Sequence, residues 1–592
     1  MNRRMDRQLN KKGIIFKIIG TVITICITAC LLCYCTNLME RKASDQKYKA
    51  FFDQKEDFDV LFLGTSHVIN GVFPMDLWND YGIVSYNCGG HANQIATSYW
   101  VMRNVLERTT PKVVVIDCLE IENNQKTFTD FSYLHMSMDA FPLSVTKIKA
   151  IWDLLDDPFF ETYQPEDADE SAGVNSPDLN GKDGVAEEAG LVDEAKEEQD
   201  VDESEAYEKE PRTKIALLWD YAVYHSRWSV IDEYDFRPEV KYEKGAESRL
   251  AVAPRDLSRI PENEKIQPGT TGDLYLRKMI EYCQERGIEV VLTFLPFPAN
   301  EMQQKAANYI YDLAEEYQVE YLNFLDLDVI NYHTDLYDED HVNPSGARKV
   351  TDYLGQFLTA NYDIPDRRQD SAYASWFDDY DLYENVKNIN LTTVNSLPTY
   401  LMLLFGDDLE IRIDVRDKGL FQNPWILELF DNLGVDPETL SDKTDYIIIN
   451  NRESGMEGSE REEDGIDSLK VPEAAEATEV LDGGEGLEST EAMEGADTSE
   501  VLDGGEANEE SFSGVLVLEN IRENEKSQTT ELGTFQYLDD KLYLNDQEYM
   551  AEHRTDNTGL QIDVYRGTDL EDSIQFETGA ADSIGKRSYE ES

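Results

Sequence analysis

A short apolar segment that runs into a serine constrains the fold of this 592-residue chain more than any other feature. Residues 59–66 read Asp-Val-Leu-Phe-Leu-Gly-Thr-Ser. A continuous apolar run of this length is typical of a buried strand in a parallel sheet, and open α/β sheets bind ligands at the carboxyl ends of such strands. Ser66 is therefore a candidate nucleophile. An ordinary turn is an equally good interpretation of the Gly-Thr-Ser end taken alone, because these residue types are common in turns.

Further segments with strand character alternate with helical segments along the chain. Such an alternation predicts a parallel sheet with helices on both of its faces. The predicted strands are 59–64, 83–86, 111–117, 288–295 and 320–324, and the predicted helices include 95–107, 273–286 and 300–317.

A second block, far downstream, supplies a partner for the serine. Asp338 precedes His341 by three positions, a spacing at which the carboxylate can bond the imidazole nitrogen that faces away from a serine. Such a carboxylate fixes the tautomer of the histidine and stabilises the imidazolium that forms when the ring takes the serine proton. Asn343 suits an N-cap and Pro344 suits a first helical turn, so a helix is predicted to follow over 347–358.

A serine after the first strand, combined with Asp-x-x-His before the last helix, resembles the SGNH (GDSL-like) hydrolase superfamily. It resembles in particular the membrane-bound cell-envelope branch that includes DltD- and AlgJ-like proteins. The resemblance covers roughly residues 58–362. It implies a three-layer α/β/α fold around a parallel sheet and no cofactor. It also implies a catalytic set in which Ser66 attacks an acyl carbonyl, His341 transfers the proton and Asp338 orients His341.

The resemblance also implies which groups stabilise the oxyanion. Backbone amides at a glycine-rich helix start can hold developing negative charge. The superfamily takes one donor from such a glycine, which here is Gly89, although Gly90 is adjacent. Better-known members take a second donor from a Gly-x-Asn-Asp block, and that block is missing after the strand at 111–117. Either Asn123 or Asn124 substitutes for it, or the two asparagines are a surface pair before a turn.

A metal site is a competing interpretation of the residues around His341. Histidines and carboxylates are common metal ligands. A solvated acidic loop explains the carboxylates, however, and Asp338 and His341 already have the assignment given above, so no metal is predicted. His67 adjoins the candidate nucleophile and is expected to point elsewhere. The residues that a metal could use are His333, Asp335, Asp338, Asp340 and His341.

The amino terminus predicts a membrane anchor. Residues 1–12 carry five basic side chains, and the apolar run from Ile18 to Cys35 is about long enough to cross a bilayer. We therefore expect a cytoplasmic tail over 1–12, a transmembrane helix over 13–37 and an external remainder, by the positive-inside rule. No small-x-small cleavage site follows the run, which argues against a cleaved signal peptide. A lipoprotein anchored at Cys30 is the alternative.

Composition narrows the class of partner. The formal net charge of −67 excludes a general nucleic-acid binder, which needs a basic face for phosphates. The SGNH resemblance implies a cell-surface polysaccharide or its acyl donor as the partner, and a multispanning acyltransferase is a further candidate. Water as the acceptor gives an esterase, and a sugar hydroxyl gives an O-acyltransferase. The alternative is a non-catalytic envelope scaffold or polysaccharide-binding protein, which the missing Gly-x-Asn-Asp block favours.

Two acidic segments that are poor in aromatic residues interrupt the predicted domains. They cannot bury enough apolar surface to offset the entropy lost on ordering, so they are predicted to be disordered. Alternation at 407–415 predicts a strand with one buried face in a second domain. The predicted organisation is a juxtamembrane stalk at 38–57, an SGNH-like domain at 58–363 with a disordered insertion at 161–210, a linker at 364–384, and a smaller α+β domain at 385–592 with a disordered insertion at 453–513.

Overall fold

The computed structural model gives the conformation of most of the chain outside the two acidic segments. The segment 161–210 lies outside the described residues, and so does 453–513 apart from Ser513, so their disorder stays a prediction. The described residues are 2–39, 42–156, 213–219, 221–231, 233–236, 243–406, 408–451, 513–523, 527–550, 558–577 and 585–586.

The chain begins with a long helix, α1 (Asn2–Met39), which contains the predicted span at 13–37. Its segment Lys17–Met39 has a mean hydropathy of 2.3, and none of the most apolar stretch is buried in the protein. This helix is long and apolar enough to cross a membrane.

The next helix lies in the segment predicted as a juxtamembrane helix or stalk, and it packs into the core of the following unit. In α2 (Lys42–Asp53), Tyr48 and Phe51 are 1% and 0% exposed, and the Phe51 ring stacks on Phe58 with a centroid distance of 5.0 Å. The aromatic residues of this segment therefore belong to the core, because burying them removes a large apolar area from water.

The predicted parallel sheet of five strands is confirmed. Every neighbouring pair of strands runs parallel, in the order β2-β1-β3-β4-β5. Their carboxyl ends consequently share one edge, which is the edge where Ser66 follows β1, an interior strand of the sheet. The strands are β1 (Val60–Leu63), β2 (Ser85–Asn87), β3 (Val113–Asp117), β4 (Glu289–Phe294) and β5 (Glu320–Asn323).

Apolar cores lie on both faces of this sheet. Leu61 and Leu63 point into one core, whereas Val60 and Phe62 point into the other, as the two-residue period of a strand requires. Helices α5, α11 and α12 pack into the first core, and α3, α4 and α13 pack into the second. The helices of this unit are α3 (Ser66–Gly71), α4 (Pro74–Tyr81), α5 (Ile95–Val105), α6 (Phe131–Met138), α7 (Val145–Leu154), α8 (Lys214–Leu218), α9 (Tyr221–Tyr224), α10 (Glu233–Phe236), α11 (Thr271–Gln284), α12 (Glu301–Tyr317) and α13 (Pro344–Asn361).

The carboxyl-terminal part contains two antiparallel sheets. A six-stranded sheet has the order β15-β14-β13-β6-β7-β8, so strands from both sides of the second acidic segment pair in one sheet. A four-stranded sheet has the order β12-β11-β10-β9. The elements are α14 (Ser375–Thr393), α15 (Leu397–Leu403), β6 (Glu410–Val415), α16 (Pro424–Asn432), β7 (Thr444–Asn450), β8 (Gly514–Glu519), β9 (Ser527–Thr530), β10 (Gly533–Leu538), β11 (Lys541–Leu544), β12 (Gln547–Met550), β13 (Leu560–Arg566), β14 (Asp569–Phe576) and β15 (Gly585–Lys586).

The segment predicted as a linker, 364–384, packs against the parallel-sheet unit instead. The Arg367 guanidinium donates two hydrogen bonds, of 2.8 and 2.9 Å, to the carboxylate of Asp59. Trp376 is fully buried, and its ring centroid lies 5.4 Å from that of Trp78. The two parts of the chain are thus joined by a packed segment rather than a free tether.

Candidate active site

The turn after β1 places Ser66 at the start of α3. A Cβ atom on Gly64 would lie 2.7 Å from Cβ of Asp117 on the neighbouring strand, so only glycine fits this close approach. The Thr65 hydroxyl accepts a hydrogen bond of 3.2 Å from the His67 amide and so caps α3. Ser66 is the first residue of α3, and its own amide therefore has no partner within the helix.

Ser66, His341 and Asp338 form a continuous hydrogen-bonded chain. Ser66 Oγ lies 2.8 Å from His341 Nε2, across 275 residues of sequence. His341 Nδ1 lies 3.0 and 3.1 Å from the two carboxylate oxygens of Asp338. Because an ionised carboxylate only accepts, Nδ1 carries the ring proton and Nε2 is left to accept the serine proton. This is the geometry that general-base activation of a serine requires.

Asp338 is held in its ionised form. Partial burial alone would raise its pKa, but hydrogen bonds from the His341 ring and from the amides of Asp340 and His341 outweigh that effect and lower the pKa to about 2. The carboxylate is therefore charged at all ordinary pH values and can stabilise an imidazolium at His341.

The turn that carries Asp338 and His341 is closed by backbone bonds. Leu336 and Val342 form an antiparallel bridge, and the Tyr337 amide donates to the His341 carbonyl at 2.8 Å. The side-chain oxygen of Asn343 caps α13, while its side-chain NH₂ group donates a hydrogen bond of 3.2 Å to the Leu336 carbonyl. The predicted cap at Asn343 and the helix that follows are both confirmed, and together they fix the position of His341.

The triad opens into a cavity of about 340 Å³. Its wall combines apolar, histidine and carboxylate side chains, and the exposed Arg249 adds a positive charge. Most of the lining side chains are polar or titratable, and they surround the Ser66, His341 and Asp338 groups. The lining residues are Thr65, Ser66, His67, Asn70, His91, Ala92, Leu119, Glu120, Tyr133, Arg249, Phe297, Gln303, Asp338, Asp340 and His341.

The predicted oxyanion donor Gly89 does not fit this geometry. Its amide donates to Asn87 Oδ1 at 3.1 Å, and the amide of Gly90 donates to the Gly64 carbonyl at 3.0 Å. Glycine is required at position 89 for another reason, since an added Cβ would lie 2.7 Å from the Thr65 carbonyl oxygen. The glycine-rich turn therefore packs against the serine turn, and its two amides already have acceptors.

Asn123 is not placed as an oxyanion donor either. Its side-chain amide donates to the carboxylate of Glu120, and its carbonyl accepts from the Gly272 amide at 2.9 Å. Asn124 accepts from the Thr271 amide at 3.3 Å. Both asparagines thus attach the start of α11 to the loop after β3.

Sequence reasoning missed His67, which does face the cavity. Its ring lies 4.4 Å from the Phe297 ring and 5.3 Å from the His341 ring, centroid to centroid. Burial, and then the neighbouring His341, lower the pKa of His67 to about 3, so this ring is neutral at physiological pH. The expectation that it points elsewhere is wrong. Its position one residue after Ser66 was the only available signal.

Three other cavity residues, His91, Arg249 and Glu120, come from loops. His91 Nε2 lies 3.7 Å from a carboxylate oxygen of Glu247, and Arg249 Nη2 lies 3.8 Å from the same oxygen. Glu120 is more exceptional, because its backbone is in the left-handed region with φ of +75°. Burial raises the pKa of its carboxyl group. Strained backbone of this kind clusters at functional sites.

The residues of the competing metal interpretation bond different partners. His333 bonds Glu428 at 2.8 Å and Asp256 at 3.1 Å, whereas buried Asp335 pairs with Lys349 at 2.6 Å. Neither residue joins Asp338 and His341. In the part of the chain that the structure describes, no group of three or more His, Cys, Asp or Glu side chains is arranged to hold a metal ion.

No protein-family model, curated protein or solved structure matches this chain. The assignment of a class therefore depends on the residues and on their geometry.

Proposed function

We propose that this protein is a membrane-anchored, SGNH-type serine esterase or O-acyltransferase that acts on acyl esters, of acetyl type, of a cell-surface polysaccharide. The observation that carries the proposal is the hydrogen-bonded chain from Ser66 Oγ through His341 to Asp338, with distances of 2.8 and 3.0 Å. A buried strand ending in the nucleophile and an Asp-x-x-His turn before the last helix of the unit support the SGNH class, as do the apolar cores on both faces of the parallel sheet.

The chemistry follows from the protonation states. His341 Nε2 takes the Ser66 proton as Oγ attacks the acyl carbonyl, and Asp338 stabilises the resulting imidazolium. The Ser66 amide, at the first position of α3, donates to the oxyanion. His341 then returns the proton to the leaving alcohol, which leaves an acyl-serine. Water or a sugar hydroxyl, deprotonated by His341, attacks the acyl carbonyl of this intermediate. The bond to Ser66 Oγ breaks, and His341 returns the proton to that oxygen.

The location proposed for the site follows from α1. A basic amino terminus before an apolar helix favours a cytoplasmic tail and an external remainder. The cavity would then face the cell envelope, where acylated glycans occur. Arg249 and His91 at the cavity offer hydrogen-bond donors to sugar oxygens. A multispanning acyltransferase is a candidate source of the acyl group.

One observation favours a second candidate, a non-catalytic scaffold or polysaccharide-binding protein of the same fold. The amides of Gly89 and Gly90 and the side chain of Asn123 are all bonded within the protein. A site with one oxyanion donor would be a weak catalyst, because each donor contributes about 10²–10³ in rate.

Ester hydrolysis distinguishes the two candidates. The full chain in detergent is assayed for release of p-nitrophenol from p-nitrophenyl acetate, beside Ser66→Ala, His341→Ala and the control Ser375→Ala, which alters an exposed serine of α14. We expect turnover in the wild type and in the control, and loss in the two site variants. Equal turnover in all four, or none in any folded protein, would contradict the catalytic proposal.

A further inference from the structure

The protein surface next to the end of α1 carries exposed apolar side chains on two neighbouring elements. Trp228 and Val230, in the segment that follows α9, and Phe236, at the end of α10, are 69%, 63% and 58% exposed. On α7, Val145, Ile148 and Trp152 are 68%, 41% and 49% exposed. We propose that these six residues, the interfacial patch, lie in the headgroup region of the outer membrane leaflet. The inference rests on the proposed membrane anchoring.

The position of the first element relative to α1 supports this occupant. Trp219 Nε1 donates to Thr36 Oγ1 at 3.3 Å, and the Arg227 guanidinium donates to the Met39 carbonyl at 3.2 Å. Thr36 directly follows the apolar run that ends at Cys35. The segment that carries Trp228 therefore lies at the level where α1 would leave the hydrocarbon. Tryptophan is enriched at this depth, because its indole is apolar with one polar N–H group.

The other three residues of the patch lie on α7. Val145, Ile148 and Trp152 are spaced by three and four residues, so they form one stripe along α7. The opposite stripe of α7, which includes Ala150 and Ile151, is fully buried. Helix α8 packs against α7, with Lys214 Nζ 6.0 Å from the Trp152 ring, and leads directly to Trp219.

Exposed apolar side chains in such number indicate an interaction surface. Lipid is the expected occupant because Trp219 and Arg227 contact the end of α1, so any bilayer that surrounds α1 lies beside this part of the patch. Lipid contact removes the patch from water and gives the external unit a fixed orientation on the membrane. A protein that covers the same side chains is the competing occupant, and the test below excludes one or the other.

A fixed orientation also limits how far the candidate site stands from the membrane. Lys47 is at most about 18 Å from Met39, from the reach of an extended chain to Lys42 and the helical rise of α2 after it. The neighbouring Tyr48 hydroxyl donates to the carbonyls of Cys88 and Gly89 at 3.1 and 3.2 Å. The turn at Gly89 packs against the Ser66 turn, so a short series of contacts connects the end of α1 with the candidate site.

Lipid-borne quenchers test the patch in the full chain. The protein is reconstituted without partners into phosphatidylcholine vesicles whose acyl chains are brominated near the headgroup, and tryptophan fluorescence is compared with that in unbrominated vesicles. We expect bromolipid quenching to decrease in Trp228→Phe and in Trp152→Phe. The control Trp425→Phe, a tryptophan that donates to the His333 carbonyl, should quench like the wild type.

A different quenching pattern would contradict lipid as the occupant of the interfacial patch. If Trp228→Phe and Trp152→Phe keep the full bromolipid quenching and instead lose quenching by aqueous acrylamide, the patch faces water in the lipid-bound chain, and a protein partner replaces lipid as its occupant. Flotation of the vesicles separates this failure from failure of the anchor. Protein that does not float contradicts the proposed membrane span, whereas floating protein with water-exposed tryptophans contradicts the patch alone.

Discussion

The Asp338 and His341 side of the candidate site and its Gly89 and Asn123 side lie at the same edge of the same sheet, but their polar groups are used differently. On the first side, each group bonds the next in an order that leads to Ser66. On the second side, the amide of Gly89 and the side chain of Asn123 bond acceptors within the protein. The comparison shows that a hydrogen-bonded chain to a serine can be complete while the groups predicted to stabilise an oxyanion bond acceptors elsewhere in the protein.

The largest effect is expected at Ser66. If the proton-transfer side is functional, Ser66→Ala removes the nucleophile and lowers kcat by about 10⁶-fold. Steady-state hydrolysis of p-nitrophenyl acetate measures the loss. A variant that keeps more than a tenth of the wild-type rate would show that the observed activity arises elsewhere.

Asp338 tests whether the carboxylate acts through His341. Asp338→Asn preserves the size of the side chain but replaces the acceptor that fixes the tautomer, so kcat is expected to fall by about 10⁴-fold. Rates are compared with those of Asp340→Asn, whose side chain also lines the cavity but does not bond His341 through its carboxylate. Equal losses in the two variants would contradict the assignment of Asp338.

A substitution at Gly89 tests whether glycine is needed there for packing against the Ser66 turn. Because an added Cβ would meet the Thr65 carbonyl at 2.7 Å, Gly89→Ala is expected to lower the free energy of unfolding by about 1–3 kcal/mol. Chemical denaturation measures this. Gly419→Ala is the matched control, since its Cβ would meet only a side-chain oxygen of Asp417 at 3.1 Å. Unchanged stability together with a large loss of kcat would instead favour an oxyanion role for Gly89.

His67 lies beside the triad, and its low pKa makes a pH prediction. The unfolded chain binds a proton at this ring below its ordinary pKa of 6.5, whereas the folded chain does so only near 3. The contribution of the neutral His67 ring to the free energy of unfolding is therefore fully present above pH 6.5. It decreases by roughly 4 kcal/mol as the pH falls toward 3. His67→Gln should show a shallower decrease between these pH values in denaturation midpoints. An unchanged slope would mean that His67 is not buried as a neutral ring.

The smallest effect is expected at Asn123. Its side chain bonds Glu120 rather than the cavity, so Asn123→Ala should change kcat by less than about threefold. A loss of about 10²–10³ would contradict this and restore the second oxyanion donor.

The features that sequence predicted well are those encoded within a few residues. The apolar run before Gly64, the Asp338 to His341 spacing and the Asn343 cap each depend on local geometry, and the structure shows all three. The five parallel strands follow from the same kind of local periodicity.

The features that the sequence predicted poorly depend on contacts between residues that are far apart in the chain. Whether the Gly89 amide is free depends on where the Asn87 side chain turns. The packing of the predicted linker depends on Arg367, which bonds Asp59 across 308 residues. Arg249 reaches the cavity from a loop without regular structure, and no spacing rule connects such a residue to Ser66.

Covalent labelling of Ser66 tests the central claim most directly. The full chain is treated with a fluorophosphonate probe, and the modified peptide is identified by mass spectrometry, beside His341→Ala. The account predicts a single adduct on Ser66 in the wild type and none in His341→Ala, because Oγ depends on His341 for activation. Folded protein that gives no adduct, or gives one that persists in His341→Ala, would contradict it.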